Sequence, residues 1–399
     1  MVTVVSLGGF NANTAGITIS LTNLKITAYG EYAIRFFRAS VNLESVEVDG
    51  TGALKGTVSG TDLAGIDIDN NVAGNDITLN ANDVYIHGID GATNSGETIR
   101  AFGVTQRAGA TITANFSNTT VSDIHNSDGS VAGFFVQALG QGSGEAIVNA
   151  SIVNTTIHDL SATSGVYAFG AIGQASSDNA TINTSIVNAT VTGVRGAASP
   201  FSDLSAGVFS AGLSTLTSLA SVHTTIQNTI LADNLSDGVP NNCLSGSLNA
   251  ILSLNGPVDA TLTSLGHNLS DDASCTGFNQ AGDKQNVSNI ISTLGALQNN
   301  GGSVPTRALL PGSPAISAGG AVLGVTTDAR GVARPGDCPS VGAFQFEGAV
   351  CGASTPSTSG SGNAAAPNTG ANPASPVSSL LASFAGLLTL GYVFTRKRA

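Results

Sequence analysis

The sequence has little charge, few aromatic residues and almost no methionine. Of its 399 residues, 14 are basic and 26 acidic, so that 10% are charged, where soluble domains average roughly 25%. Tryptophan is absent and methionine occurs once. This composition excludes a typical helical cytosolic enzyme and a coiled coil. Disorder is excluded as well, because 41% of the residues are hydrophobic and bury enough apolar surface to offset the entropy of ordering.

Positive charge is especially scarce. The net charge of −12 argues against nucleic acid as a partner, since binding phosphates needs a basic stripe. Arg195 is the one Lys or Arg between Arg107 and Lys284. An enzyme that cleaves acidic polysaccharides needs such cations together with paired carboxylates, so we expect no enzyme. A lyase or hydrolase that acts on neutral glycans stays open as the alternative.

The four cysteines lie in the second half of the chain and form no CxxC pair, which argues against zinc. Four cysteines allow three pairings. The pairing with the shortest loops joins Cys243 to Cys275 and Cys338 to Cys351, as expected for an exported protein. The alternative is four reduced, buried thiols.

Two residue types recur at intervals near 35 residues. The asparagines are separated by 36, 36, 34 and 40 residues, and they are Asn82, Asn118, Asn154, Asn188 and Asn228. The phenylalanines are separated by 32, 35 and 40 residues, and they are Phe102, Phe134, Phe169 and Phe209. Two columns in step indicate a repeated structural unit.

Within each unit, apolar and polar residues alternate with the strand period of two, as in residues 146–153. About three short strands and their turns fill one unit, which fits one coil of a solenoid stacked about 4.8 Å from the next. An antiparallel sandwich would need hairpin signals every 8 to 12 residues or so. The sequence therefore predicts an all-β parallel β-helix in which the asparagines form a structural ladder at a corner.

Three aspartates follow these asparagines by five residues: Asp123, Asp159 and Asp233. Carboxylates on adjacent coils would repel one another or bind Ca²⁺ through their oxygens, which makes them the candidate metal site. The structural alternative is that each Asp opens a turn by bonding to nearby backbone amides. No other cofactor is expected.

Motifs in residues 236–347 resemble the C-terminal region of bacterial surface β-helix proteins of the choice-of-anchor Q type. The matching segments are Ser264–Leu269, Leu297–Gly302, Ala308–Ile316, Thr327–Gly331 and Val341–Phe344. Ser317 departs from the family, which usually carries Asp there. The resemblance implies a right-handed parallel β-helix of the pectin lyase-like kind, closed by a C-terminal cap, and no catalytic residues. We also expect Asp328, Arg330 and Arg334 to form ion pairs that hold this cap closed.

The C-terminal tail has the order of parts expected of a surface anchor. Residues 351–376 form an uncharged spacer, which we predict to be a flexible, disordered linker. Residues 377–394 carry no charge and would span about 27 Å as a transmembrane helix. Arg396, Lys397 and Arg398 follow, and place the terminus in the cytoplasm.

A sortase-like signal precedes this predicted span. The residues Ala366, Pro367, Asn368, Thr369 and Gly370 resemble the LPXTG sorting motif, with Ala366 where Leu is usual. The resemblance implies cleavage after Thr369 by a sortase-like transpeptidase and transfer to a cell-wall peptide. The alternative is a tail anchor that stays in the membrane. A lipid-linked anchor is disfavoured by the basic terminus.

These features predict four regions: β-helix repeats over 1–235, a cap over 236–350, a linker with the sorting motif over 351–376, and a transmembrane helix with a basic tail over 377–399. Because the tail demands export but the N-terminus shows no secretory signal, we expect a truncated start. The expected role is adhesion or surface structure, with a glycan or protein as the surface ligand. A passive stalk is the second possibility.

Overall fold

The computed structural model describes residues 2–5, 10–27, 30–52, 63–91, 98–196, 205–215, 217–249 and 254–348. Its strands are β1 Val2–Val5, β2 Phe10–Asn13, β3 Thr18–Thr27, β4 Tyr32–Phe37, β5 Ser40–Asp49, β6 Leu63–Asn70, β7 Ile77–Asp90, β8 Thr98–Gln106, β9 Ala110–Ser117, β10 Thr120–Asn126, β11 Ser130–Gly140, β12 Ala146–Val153, β13 Thr156–Ala162, β14 Val166–Ala175, β15 Ala180–Val187, β16 Thr190–Gly196, β17 Ala206–Ser214, β18 Ala220–Gln227, β19 Ile230–Ala232, β20 Leu235–Ser236, β21 Val239–Pro240, β22 Cys243–Ser247, β23 Val258–Ser264, β24 Leu269–Ser270, β25 Leu294–Gln298 and β26 Thr306–Leu309. Short 3-10 helices occupy Gly50–Gly52 and Ile291–Thr293.

The strands form a parallel β-helix, as the repeat spacing predicts. An 8-stranded sheet runs in the order β2, β4, β6, β8, β11, β14, β17, β22. A 16-stranded sheet forms the other walls. It has a first limb, containing β9, β12, β15, β18 and β23, and a second limb, containing β10, β13, β16 and β19. The stacking continues past residue 235, because β22, β23 and β24 pair in parallel with β17, β18 and β19.

The phenylalanine column is correct for three of its four members. Phe102, Phe134 and Phe169 are in register inside the solenoid, with ring centroids 4.7 and 5.3 Å apart. The assignment of Phe209 to this column is wrong, because Val208 lies opposite Phe169. A shift of one residue turns a side chain to the other face of a strand. Phe209 therefore belongs to a separate apolar cluster, where it stacks on Tyr167 at 4.7 Å.

Four of the five predicted asparagines form a hydrogen-bonded ladder at the corner between the two limbs. The prediction is wrong for Asn228, which holds the equivalent position but whose side chain bonds to Gly320 of a later segment. Asn118, Asn154, Asn188 and Asn228 all have φ between 51° and 54°, a left-handed conformation that Asn tolerates better than most residues. Asn118 Nδ2 donates to Asn82 Oδ1 at 3.1 Å, Asn154 to Asn118 at 3.2 Å, and Asn188 to Asn154 at 3.4 Å. Asn82 joins the ladder from one residue away, because the left-handed position of its coil belongs to Asp83.

A disulfide and two buried side chains join the segment after β24 to the C-terminal end of the solenoid core. The predicted disulfide between Cys243 and Cys275 is confirmed, with Cα atoms 4.8 Å apart. Cys275 and Phe278 are buried against the core side chains of the last coils. Cys351, the predicted partner of Cys338, lies outside the described residues.

Residues 288–348, here called the clasp, lie along the side of the solenoid at the asparagine corner. Pro305 O accepts a hydrogen bond from Thr120 Oγ1 at 2.7 Å, and Thr327 O accepts one from Asn154 Nδ2 at 3.0 Å. Clasp residues including Ile290, Leu309 and Phe344 pack in one cluster with the outward side chains of β19 and β24. The clasp thus contacts coils that precede it by more than 100 residues.

Two core threonines in register give a prediction about stability. Thr224 Oγ1 donates to Ser210 Oγ at 3.1 Å, whereas the buried Thr184 Oγ1 has no hydrogen-bond partner in the part of the chain that the structure describes. Replacing an unsatisfied hydroxyl by a methyl group removes a desolvation cost. We expect Thr184→Val to raise the free energy of unfolding by about 1 kcal/mol, and Thr224→Val to lower it by a similar amount. Urea unfolding measures both, and equal effects of the two variants would contradict this assignment.

Candidate functional site

The outer face of the second limb carries an in-register column of polar side chains. We call it the polar stripe, and its members are Asp49, His87, Ser122, His158 and Thr192. Parallel pairing holds these residues about 4.8 Å apart from coil to coil. Sequence reasoning missed the stripe, because its residue types differ from coil to coil and only the register brings them together.

An ion-pair cluster occupies the N-terminal end of the stripe. Lys25 Nζ lies 2.6 Å from Glu47 Oε1 and 3.0 Å from Asp49 Oδ2, and His87 Nε2 lies 3.1 Å from Glu47 Oε1. The hydrogen bond to Glu47 raises the pKa of Lys25. Burial raises the pKa of Asp49, but hydrogen bonds from Thr51 and Lys25 outweigh it and bring this pKa to about 2.

Glu47, Asp49 and His87 could together hold a metal ion, because one ligand atom of each lies within 4.8 Å of the others. The Lys25 ammonium already contacts both carboxylates and supplies the positive charge at this point. A metal ion would have to displace it. The arrangement is therefore that of a structural ion-pair network joining adjacent coils.

Tyr85 extends the network toward the next coil. Its ring stacks on His87, with centroids 4.2 Å apart, and its hydroxyl lies 3.1 Å from Ser122 Oγ. Ser122 donates its hydrogen to Asp123 Oδ2 at 2.6 Å, so Tyr85 is the donor in the first bond. Burial, with a smaller effect of the Asp123 charge, raises the pKa of Tyr85.

The three aspartates of the predicted metal site have separate partners. Asp123 accepts from Ser122, Asp159 lies 4.0 Å from His125 Nε2, and Asp233 pairs with Arg195. Asp123 and Asp159 occupy equivalent positions on adjacent coils, whereas Asp233 lies two coils beyond Asp159. Ca²⁺ binding by these carboxylates stays a prediction.

The backbone explains why Asp recurs at these positions. Asp123, Asp159 and Asp233 have φ of 53°, 59° and 57°, and Gly193 takes the same left-handed conformation on the coil between them, with φ of 74°. Asp and Gly tolerate this conformation better than most residues. The Asp column therefore follows from a left-handed backbone position that recurs on the coils from β7 to β19, where Asp or Gly fills it.

The clasp borders the stripe at its C-terminal end. Arg307 Nη1 donates to Thr192 Oγ1 at 2.9 Å, and His158 Nδ1 forms a hydrogen bond with the same hydroxyl at 3.0 Å. Burial, assisted by the Arg307 charge, lowers the pKa of His158. The lowered pKa favours the neutral imidazole of His158.

A second polar cluster lies on the outer face of the 8-stranded sheet. Asp67 lies 3.2 Å from Arg35 Nε and 3.8 Å from Arg100 Nη1, and the two guanidinium groups lie over the rings of Tyr32 and Phe135 at 4.0 and 5.0 Å. Sequence reasoning missed this cluster, because it weighed positive charge only between Arg107 and Lys284. The spacing of 32 residues between Arg35 and Asp67 was the available signal, because it matches the coil period.

Buried charge stabilises the clasp itself. The predicted pair of Asp328 and Arg330 is confirmed, with Asp328 fully buried and 2.8 Å from Arg330 Nη2. Arg334 does not pair with Asp328. Its guanidinium donates instead to the carbonyl oxygens of Thr327, Ser340 and Gly342 and to Asn154 Oδ1, the last at 3.1 Å. Burial lowers the pKa of Arg334 to about 10.

Comparisons with protein-family models, with curated proteins and with solved structures give no match to this chain. The choice-of-anchor Q resemblance therefore stays a prediction. Among the residues that the structure describes, no helix is long and apolar enough to cross a membrane. The predicted span over 377–394, the linker and the sorting motif over 366–370 lie outside those residues.

Proposed function

We propose that this chain is a surface β-helix protein, held at the cell wall or membrane by its C-terminus, with a role in adhesion or surface structure. One observation carries the proposal. A stiff solenoid is followed in order by an uncharged spacer, a sortase-like motif, an apolar segment and three cations. The spacer would hold the solenoid away from the envelope, while the apolar segment and the cations stop the chain in the membrane.

The proposed processing partner is a sortase-like transpeptidase. It would break the peptide bond between Thr369 and Gly370 and join the Thr369 carbonyl to an amine of a cell-wall peptide, releasing residues 370–399. In the alternative, the basic tail stays cytoplasmic and the intact chain remains a membrane protein. The cap of choice-of-anchor Q type and the right-handed coil belong to this proposal, and they rest on the motifs between Ser264 and Phe344.

The first limb supports a role in contact with an uncharged partner. Its outer face presents hydroxyl and amide side chains, and some form ladders: Asn183 Nδ2 donates to Asn149 Oδ1 at 2.9 Å, and Asn115 Nδ2 to Asn80 Oδ1 at 2.9 Å. Apart from the exposed pair of His223 and Asp259, the strands of this face carry few charges. Such an ordered polar surface suits a glycan or a protein better than a polyanion. The tyrosines Tyr32 and Tyr167 are buried in the 8-stranded sheet and offer no exposed stacking platform.

The test is the mass of the mature C-terminus in envelope preparations from cells that express the full chain. The proposal expects the last residue to be Thr369, linked to a wall peptide, and expects Thr369→Ala to abolish this linkage. An intact terminus containing Arg398 in the membrane fraction would support the tail anchor instead. Secretion of the unprocessed chain into the medium would contradict both anchors.

A further inference from the structure

We propose that the clasp transmits tension from the C-terminal tail into the side of the solenoid, so that pulling on the tail does not peel the coils from the end. This inference rests on the proposed C-terminal anchoring. Each coil of a solenoid contacts only its neighbours, so a force applied to the last coil removes the coils one at a time. A segment that contacts several coils at once opposes this stepwise release, because its contacts must break before those coils can separate.

The clasp provides such contacts on successive coils. Clasp residues form hydrogen bonds with the coils that carry β10, β13, β16, β19 and β24. The pairs, with the solenoid residue first, are Thr120 with Pro305, Asn154 with Thr327 and Arg334, Thr192 with Arg307, Thr190 with Ala343, Asn228 with Gly320, and His267 with Ala318. Asn228 alone forms three bonds: its Nδ2 donates to Gly320 O, its Oδ1 accepts from Gly320 N, and its backbone oxygen accepts from Gly342 N. The chain leaves the clasp at residue 348 and continues into the tail. Tension from the tail therefore reaches the lateral contacts before it reaches the end coil.

The clasp is also joined internally by a buried ion pair, backbone hydrogen bonds and a ring contact. Asp328 accepts two hydrogen bonds from the Arg330 guanidinium and one each from the backbone nitrogens of Arg330, Val332 and Gln345. Arg330 lies over the Phe344 ring at 3.6 Å, and Phe344 belongs to the apolar cluster shared with β19 and β24. Load that enters near Phe344 is thus shared by an ion pair, a ring contact and the solenoid wall.

The contacts reach the asparagine ladder itself. Arg334 bonds to Asn154 Oδ1, the same atom that accepts from Asn188, so the clasp adds a charged donor in the middle of the corner. Removing coils from the end would require the clasp contacts to break together with the hydrogen bonds of the asparagine ladder. Because both sets of contacts must break together, the coils are expected to unfold in one cooperative event.

The experiment pulls the same full chain at two points. One sample is held between a handle on Ser127→Cys, an exposed position directly after β10, and the C-terminus. The other is held between the same handle and one on Leu265→Cys, whose exposed parent side chain lies in the last coil before the clasp. We expect C-terminal pulling to release the coils between the two handles, from β11 onward, in one event. Pulling at residue 265 should release coils stepwise, about 120 Å of chain at a time, with a first event at less than half the force. Because both handles act on one folded structure, loss of stability cannot mimic the difference.

Two variants complete the test. Arg307→Gln together with Arg334→Gln should convert C-terminal pulling to stepwise release, whereas Glu347→Gln, which alters an exposed partner of Arg330, should leave the single event unchanged. Equal first-event forces at both handles, or coil-sized steps when the unaltered chain is pulled at its C-terminus, would overturn the inference. The mature C-terminal mass tests the anchoring separately, so either idea can fail alone.

Discussion

Asp328→Ala is expected to lower the free energy of unfolding by about 3–5 kcal/mol, the usual cost of removing one member of a buried ion pair. The side chain of Asp328 is fully buried, and that of Arg330 is 5% exposed, so water does not screen this ion pair. The variant leaves the Arg330 charge without its nearest carboxylate and removes the acceptor of three backbone N–H groups. Urea unfolding at constant slope measures the loss.

Glu347→Gln is the matched control for this prediction. Glu347 contacts the same arginine at 3.3 Å, but its side chain is 70% exposed, so its pair is expected to contribute less than about 1 kcal/mol. A result in which the two variants destabilise the protein equally would show that burial of Asp328 does not govern the clasp.

Asn154→Ala is expected to destabilise the protein by about 3 kcal/mol. About 1 kcal/mol of this comes from the left-handed backbone, with φ of 53°, which Ala tolerates poorly. The rest comes from the lost hydrogen bonds with Asn118, Asn188, Thr327 and Arg334, worth about 0.5 kcal/mol each.

Asn154→Gly separates the two contributions, because Gly accepts the backbone conformation but has no amide. We expect Asn154→Gly to recover about 1 kcal/mol relative to Ala and to remain less stable than the unaltered chain. If Gly restored full stability, the ladder would contribute nothing beyond the backbone conformation.

The coil repeat was predictable because it leaves a periodic record in the sequence. Asn118, Asn154 and Asn188 are spaced as the corners are, and alternation within the strands reports which side chains face inward. Two errors were shifts of one residue, at Phe209 and Asn82. They arose because the number of residues between strands varies from coil to coil, as between β16 and β17, and because Asp83 satisfies the left-handed position as well as Asn does.

The clasp could not be placed from the sequence. Its contacts join residues as far apart as Thr120 and Pro305, and they follow no period. The motif containing Asp328 and Arg330 predicted an ion pair, but nothing in it indicates that the neighbouring Arg334 bonds to Asn154 on the solenoid. The polar stripe was missed for a related reason, since its members meet only through the register of the coils.

Distances between spin labels along one outward column test the stacked arrangement most directly. Asn115, Ser151, Ser185, Thr225 and Thr263 are in register on successive coils. Paired labels at 115 and 263 should be about 19 Å apart, and labels at 151 and 263 about 14 Å, each coil adding about 4.8 Å. Separations that do not grow in equal steps with the number of coils would contradict the parallel stacking from which the ladder, the stripe and the clasp all follow.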